Sequence, residues 1–331
     1  MADPSDPPPA SRRWPRRLAM AVGGVVVALL AGWLVYRIAL LNPDEPDRGA
    51  GEILAATLDV DGVERSYLLY LPEGYAGEPG LPLVVNLHGL SSSAQNQIDR
   101  SGFNAVADRE RLIVVYPNAQ GGGPLGLAQW DVRLSEGGED DVFIEALIDE
   151  LIVSHGIDGT RVYATGLSYG SIMTYTLACV LSERFAAVGG VAGGLPRDLE
   201  STCGAAPRAV PLIHIHGDSD NIVPFGGIGD LTLGADESVA AFVSAHECAP
   251  DLVRSAVPDI DLDDGTTTTR QVAVDCESGG AVELYVVHGG GHNWPGGTRT
   301  MRIFFGAMSR DYDASTVLWD FFAQHRLDPV G

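Results

Sequence analysis

Two ways of spacing apolar residues run along most of this chain. Residues 55–60 and 66–71 alternate apolar and polar positions on either side of Asp61-Gly62, which predicts a hairpin with one face on a core. The runs at 81–87, 112–116, 161–165, 187–192, 211–216 and 282–287 are instead apolar on both faces. Such runs belong to strands in a buried, mostly parallel sheet. Helix-period segments separate them, at about 141–154, 168–181, 237–247 and 314–325. Strand and helix in alternation over this length predict a doubly wound α/β domain with helices on both faces of the sheet. The stretch 255–269, rich in acids and threonines, reads as an exposed excursion between strands.

One apolar segment fits neither pattern. Residues 18–36 contain no charge over nineteen positions and follow Arg12, Arg13, Arg16 and Arg17. A helix of that length spans roughly 28 Å, near the thickness of a hydrocarbon core. Arginines before it and an acidic domain after it predict a cytoplasmic tail and an exported domain. A cleaved signal peptide is the alternative, with a shorter apolar core and a small-x-small cleavage site close behind it. The organisation expected is a basic, Pro-rich tail at 1–17, a signal anchor at 18–41, a linker at 42–52 and a catalytic domain at 53–331. It predicts a single-pass membrane protein with its domain outside the cytoplasm, or a secreted one if the signal is cleaved.

Charge and composition narrow the chemistry. The 331 residues carry 21 basic and 44 acidic side chains, a net charge of −23, and every basic one is arginine. With no lysine there is no Schiff-base, phosphate-loop or Ser–Lys chemistry. Residues 1–37 hold a balance of +3 and the remainder −26. An acidic domain of this kind does not bind nucleic acid, whose affinity comes from cations displacing counterions. Cys179, Cys203, Cys248 and Cys276 form an even set, as expected of an exported chain with disulfides. Spacing allows three pairings, of which Cys179–Cys203 and Cys248–Cys276 close the shortest loops.

Three strand ends carry unusual residues. Gly166-Leu167-Ser168-Tyr169-Gly170 stands between a predicted strand and a predicted helix. A G-x-S-x-G match alone is weak, with roughly 0.3 expected by chance in a chain of this composition. Its setting is that of a nucleophile elbow, where small residues flank a serine on a turn too tight for side chains. His216-Gly217-Asp218-Ser219-Asp220 ends a second strand, and Gly289-Gly290-Gly291-His292 ends a third. A serine hydroxyl needs an imidazole to take its proton, and the imidazole needs a carboxylate to orient it. Serine, then aspartate, then His292 is the order found along α/β-hydrolases.

The segments ATGLSYGSIMTYTLAC, HIHGDSDNIVPF and HGGGHNWPGG resemble the secreted esterases that include feruloyl esterases and polyhydroxybutyrate depolymerase-like proteins. The likeness runs from about residue 55 to 327 and is strongest to the lipoprotein-type branch. It implies an α/β-hydrolase fold without a cofactor or metal. It implies Ser168 as nucleophile, His292 as base and Asp220 as the acid in a His-Gly-x-x-Asp pattern, with Asp218 the competing carboxylate. It also implies that the backbone N–H groups of Leu90, after His88-Gly89, and of Tyr169 form the oxyanion hole. Family members similarly carry a cysteine after the elbow helix and a pair bracketing the strand before the last motif.

Two features depart from the pattern. Tyr169, Gly170 and Ser171 stand where the family commonly has Asn or Ala and then paired glycines, so the Tyr169 side chain is expected to narrow the acyl site. No polymer-binding module follows the catalytic segment, which favours small or soluble esters of feruloyl, acetyl or hydroxyalkanoate type. His88, Trp130 and Trp294 are candidates for lining the substrate site, with filling of the core the equal alternative for the two tryptophans. His214 and His216 share one strand face, which fits packing beneath the acid loop better than a metal site lacking a third ligand. The acidic series from Asp259 to Gly265 lacks the terminal carboxylate of a calcium loop. An acyltransferase using the same triad, and a non-catalytic hydrolase-like surface protein, are the rival readings.

Overall fold

The computed structural model describes residues 46–328 apart from 123–126, 133–137, 278–279, 299 and 301. The tail, the anchor segment at 18–41 and the start of the linker lie outside the described residues. Among the described residues no helix is long and apolar enough to cross a membrane. At the other end of the linker, Ala50 N–H donates to Asp108 (2.7 Å) and Gly51 N–H to the Tyr70 hydroxyl (2.7 Å), so residues 50–51 are docked onto the domain.

Ten strands form one sheet. In chain order they are β1 (Glu52–Val60), β2 (Val63–Leu71), β3 (Leu83–Leu87), β4 (Ile113–Pro117), β5 (Val162–Leu167), β6 (Ala187–Val191), β7 (Leu212–Gly217), β8 (Val253–Ala256), β9 (Thr267–Val272) and β10 (Val282–His288). Their spatial order is β1-β2-β4-β3-β5-β6-β7-β10-β9-β8. The six strands from β4 to β10 are parallel, and both edges are antiparallel. The expected hairpin is present, with Val60 paired to Val63. The segment read as an exposed excursion is partly strand instead. Its ends form β8 and β9, an antiparallel extension in which all four β8 residues are exposed.

Burial on both faces accounts for the apolar runs. Leu83, Val85, Leu87, Val162 and Ala164 point into one core, with residues of α3 (Glu139–His155), α4 (Tyr169–Val180) and α5 (Ala235–Ala245). Val84, Tyr163, Ile213 and Ile215 point into the other, with α1 (Ala94–Ser101), α2 (Phe103–Glu110) and α6 (Ala314–Phe322). Alternation along each strand divides its side chains between the two cores. Cys179–Cys203 ties the end of α4 to a short helix, Glu200–Gly204, before β7, and Cys248–Cys276 ties the end of α5 to the approach to β10.

Candidate active site

The elbow is built from backbone contacts. Ser168 has φ 60° and ψ −120°, a left-sided conformation rare for a residue with a side chain. Such strain persists only where the surroundings enforce it. Here the enforcement comes from close packing: a Cβ on Gly170 would lie 2.2 Å from the Leu87 carbonyl oxygen, and one on Gly166 would lie 2.5 Å from Gly170. Ser168 N–H donates to Val191 O (2.8 Å) across the sheet. Ser168 is therefore held at the carboxyl end of β5 with α4 starting behind it.

His292 enters from the loop after β10, its own N–H donating to Phe305 O (2.6 Å). Its ring Nδ1 lies 2.7 Å from Asp220 Oδ2. The carboxylate is buried, and its Oδ1 accepts the Ile222 and Val223 N–H groups at 2.8 and 2.9 Å. An acceptor-only partner requires Nδ1 of His292 to carry the proton, which leaves Nε2 free to accept one. Burial by itself would raise the Asp220 carboxyl, but hydrogen bonds from His216 and His292 hold it well below the usual carboxylate range. It is ionised at neutral pH.

Behind Asp220 runs a buried chain of rings. The Tyr175 hydroxyl lies 2.9 Å from His214 Nδ1, His214 Nε2 lies 3.1 Å from His216 Nδ1, and His216 Nε2 lies 2.9 Å from Val223 O and 3.5 Å from Asp220 Oδ2. The last two partners can only accept, so His216 Nε2 donates toward Val223 O and Asp220. Burial and the neighbouring His216 push His214 well below its ordinary value, which keeps that ring neutral. All four ring nitrogens are thus engaged by protein groups.

Ser168 and His292 line one cleft of about 440 Å³, together with Gly89, Leu90, Asp99, Arg100, Thr298, Thr300 and Phe305. Gly89 lies against the serine, where an added Cβ would be 3.8 Å from Ser168 Oγ. Leu90 follows at the end of β3, and Tyr169 opens α4, so its N–H belongs to the first turn that lacks intrahelical acceptors. The two proposed oxyanion donors thus flank the serine. Asp218, the competing carboxylate, is turned elsewhere. It pairs with His288 Nδ1 (2.9 Å) and Gly289 N–H (2.7 Å), with both side chains substantially exposed.

The three residues expected to line the substrate site do not do so. Trp130 is 1 % exposed, and its indole N–H donates to His88 O (2.8 Å). His88 is fully buried, with Nδ1 2.7 Å from Gly89 O and Nε2 accepting from Ala119 N–H (3.1 Å). Trp294 is 2 % exposed and donates to Ser315 Oγ (3.1 Å). Their polar tips meet protein partners and their bodies fill the space behind the strand ends, so they shape the cleft from beneath. Tyr169 is also outside the lining, its hydroxyl accepting from Gln129 Nε2 (2.8 Å). The structure adds Arg100 and Phe305, which the sequence reading overlooked. In the acidic series, Asp264 accepts the N–H groups of Thr266 and Arg310, and the N–H groups of Ile260 and Asp261 donate to Asp311, so the series is stitched to the loop at 310–311.

The sheet order and the strand-elbow-helix turn at Ser168 are those of the α/β-hydrolase fold. Solved structures agree on the fold: the acetyl xylan esterase from Aspergillus awamori (TM-score 0.54, 19 % identity, 73 % of this chain and 94 % of that one) and an S-formylglutathione hydrolase from Agrobacterium tumefaciens (TM-score 0.54, 14 % identity, 87 % and 99 %). Residues 65–210 match the Esterase PHB depolymerase family. Among curated proteins the chain is 32 % identical over 279 residues to "Putative esterase NocK" of Nocardia uniformis subsp. tsuyamanensis, covering 79 % of this chain and 80 % of that one. It is 30 % identical over 212 residues to feruloyl esterase C of Emericella nidulans, covering 61 % and 70 %. The chain belongs to the esterase PHB depolymerase family.

Proposed function

We propose that this protein is an extracytoplasmic serine carboxylesterase, carried on the membrane by the segment 18–41 and acting through residues 53–331. The observation that carries the reading is a serine on a strained elbow sharing a cleft with a histidine that is hydrogen-bonded to a buried, ionised carboxylate. Ser168 Oγ attacks the ester carbonyl as His292 Nε2 takes its proton. His292 then returns that proton to the departing alcohol, and water resolves the acyl-enzyme by the same route. Asp220 holds the imidazole in the required tautomer. The N–H groups of Leu90 and Tyr169 stabilise the tetrahedral oxyanion, at about 3–4 kcal/mol per donor.

The substrates are small or soluble carboxylic esters of feruloyl, acetyl or hydroxyalkanoate type, since a cleft of about 440 Å³ takes a short acyl group and its alcohol. The two disulfides support placement of the domain in an oxidising compartment. Ser168→Ala tests the mechanism. It is expected to abolish hydrolysis of a short-chain p-nitrophenyl ester and labelling by a fluorophosphonate, with folding unchanged by circular dichroism. Full activity in that variant overturns the proposal.

A further inference from the structure

The domain is strongly acidic, yet its cleft is lined by a guanidinium that no carboxylate among the described residues pairs with. The cleft lining contains Asp99 and Arg100. Asp99 is committed: Arg48 Nε and Nη2 donate to its two oxygens at 2.7 and 3.0 Å, and Gln95 Nε2 donates at 3.1 Å. Arg100 is not. No carboxylate among the described residues pairs with it, and its Cζ lies 4.9 Å from the centre of the Phe305 ring. Burial pushes its guanidinium below the ordinary arginine value.

Position connects this cation to the reacting groups. The Phe305 ring lies 6.5 Å from the His292 imidazole and within 18° of parallel. The two spacings of 4.9 and 6.5 Å limit the distance between Arg100 Cζ and the His292 ring to about 11 Å. The main chain that carries Arg100 is tied to the opposite wall of the cleft, because Thr298 N–H donates to Arg100 O (3.3 Å) and Thr298 Oγ1 to Asp99 O (2.5 Å). A guanidinium offers a planar fork of donors that matches a carboxylate in two parallel hydrogen bonds. Stacked on an aromatic ring, its hydrogen-bonding edge is left for a ligand. As the penultimate residue of α1, Arg100 also stands at the negative end of that helix, an interaction that leaves its donors unused.

We propose that Arg100 forms an anion subsite in the catalytic cleft, and that the preferred substrates are esters carrying a free carboxylate a few bonds from the scissile bond. The proposal rests on the reading of Ser168 and His292 as an ester-cleaving pair and deepens it by naming the substrate class. The domain's negative charge does not oppose it at contact range, since salt at about 0.15 M screens surface charges beyond about 8 Å. The carboxylate can sit on either half of the ester, in the acyl group or in the alcohol.

Two matched pairs of substrates separate these cases at 0.15 M salt by pH-stat titration. Monomethyl adipate against methyl hexanoate places the charge on the acyl side; 3-acetoxybutyrate against 3-acetoxybutyramide places it on the alcohol side. The wild-type protein is expected to prefer the carboxylate member of at least one pair by tenfold or more in kcat/KM. Arg100→Met is expected to bring that ratio to within threefold of unity, mainly through KM, and Arg100→Lys to retain part of it. Equal losses on both members of the pair would assign Arg100 a purely structural role and overturn the proposal. So would wild-type protein that cleaves neutral esters without any charge preference, an outcome that leaves the esterase reading standing and needs no variant to fold. Failure to cleave any ester, charged or neutral, overturns the esterase reading first and this proposal with it.

Discussion

Asp218 and Asp220 stand two residues apart, both pair with a histidine, and only one pairing can serve the serine. Replacing each by asparagine separates them. In Asp220→Asn the amide oxygen still accepts the Ile222 and Val223 N–H groups, now 2.8 and 2.9 Å from Oδ1. The amide nitrogen then faces His292 Nδ1, where Oδ2 sits at 2.7 Å. Two donors cannot share that hydrogen bond, so the imidazole moves its proton to Nε2 and can no longer accept the proton of Ser168. The corresponding change in a serine protease triad lowers kcat by about 10⁴, which is about 5.5 kcal/mol of barrier. A fall of about 10³–10⁴ in kcat is expected here, with KM changed little. Asp218→Asn loses only a partly exposed pair with His288, worth about 0–1 kcal/mol, and is expected to retain activity within about threefold. Steady-state kinetics on one p-nitrophenyl ester, with urea denaturation of both variants, measures the contrast. Comparable losses in the two variants, or a loss in Asp218→Asn alone, would refute the assignment.

Two further predictions concern stability. The disulfides close loops with sequence separations of 24 and 28, each worth about 3 kcal/mol in the chain-entropy account, so reduction is expected to lower Tm by at least about 5 °C; an unchanged Tm under full reduction rejects this. Buried histidines set the pH dependence. His214 is held well below 6.5 by burial and then by His216, and His325 is pushed down to about 4 by burial and then by Arg208 and His246. Both bind protons more readily unfolded than folded between pH 6.5 and about 4, so stability is greatest above pH 6.5 and falls as the pH drops. Urea midpoints that hold steady or rise over that range would contradict it.

The parallel strands were legible because burial on both faces leaves them no polar positions to alternate with. The run at 81–87 became Leu83–Leu87, and that at 211–216 became Leu212–Gly217. The helices at 94–110 were not legible, and the reason lies in what they bury. In α1 the inward positions include Gln97 and Ser101, and Gln97 Nε2 donates to Asn86 Oδ1 (2.8 Å) inside the domain. A helix that packs through amides presents no apolar stripe. The signal that could have located it is Ser93, whose Oγ caps the first turn by accepting Asn96 N–H (3.3 Å). Missing α1 meant missing Arg100, the cation of the cleft. Phe305 was hidden for a different reason, since it reaches the cleft from a short helix, Arg302–Phe305, after the last recognised motif.

The candidates that the sequence suggested for the wrong role share a further cause. Tryptophan and histidine beside a catalytic motif look like substrate contacts, but a strand end must bury the groups that hold its loop. Trp130 donates to His88 O, the carbonyl immediately before Gly89, and His88 Nε2 accepts from the loop at Ala119. Those bonds fix the backbone on which the proposed Leu90 donor sits. The same economy recurs at the acid loop, where a Cβ on Gly217 would lie 2.2 Å from Gly290 O. That contact brings the loop carrying Asp220 against the loop carrying His292. The spacing of the proposed triad is therefore set by main-chain contacts between neighbouring strand ends, which admit no side chain at the crossing points. Residues chosen for that fit tolerate little change, whereas the lining formed by Arg100, Thr298, Thr300 and Phe305 lies outside these crossings. Substrate preference can shift through that lining while the reacting groups stay in place.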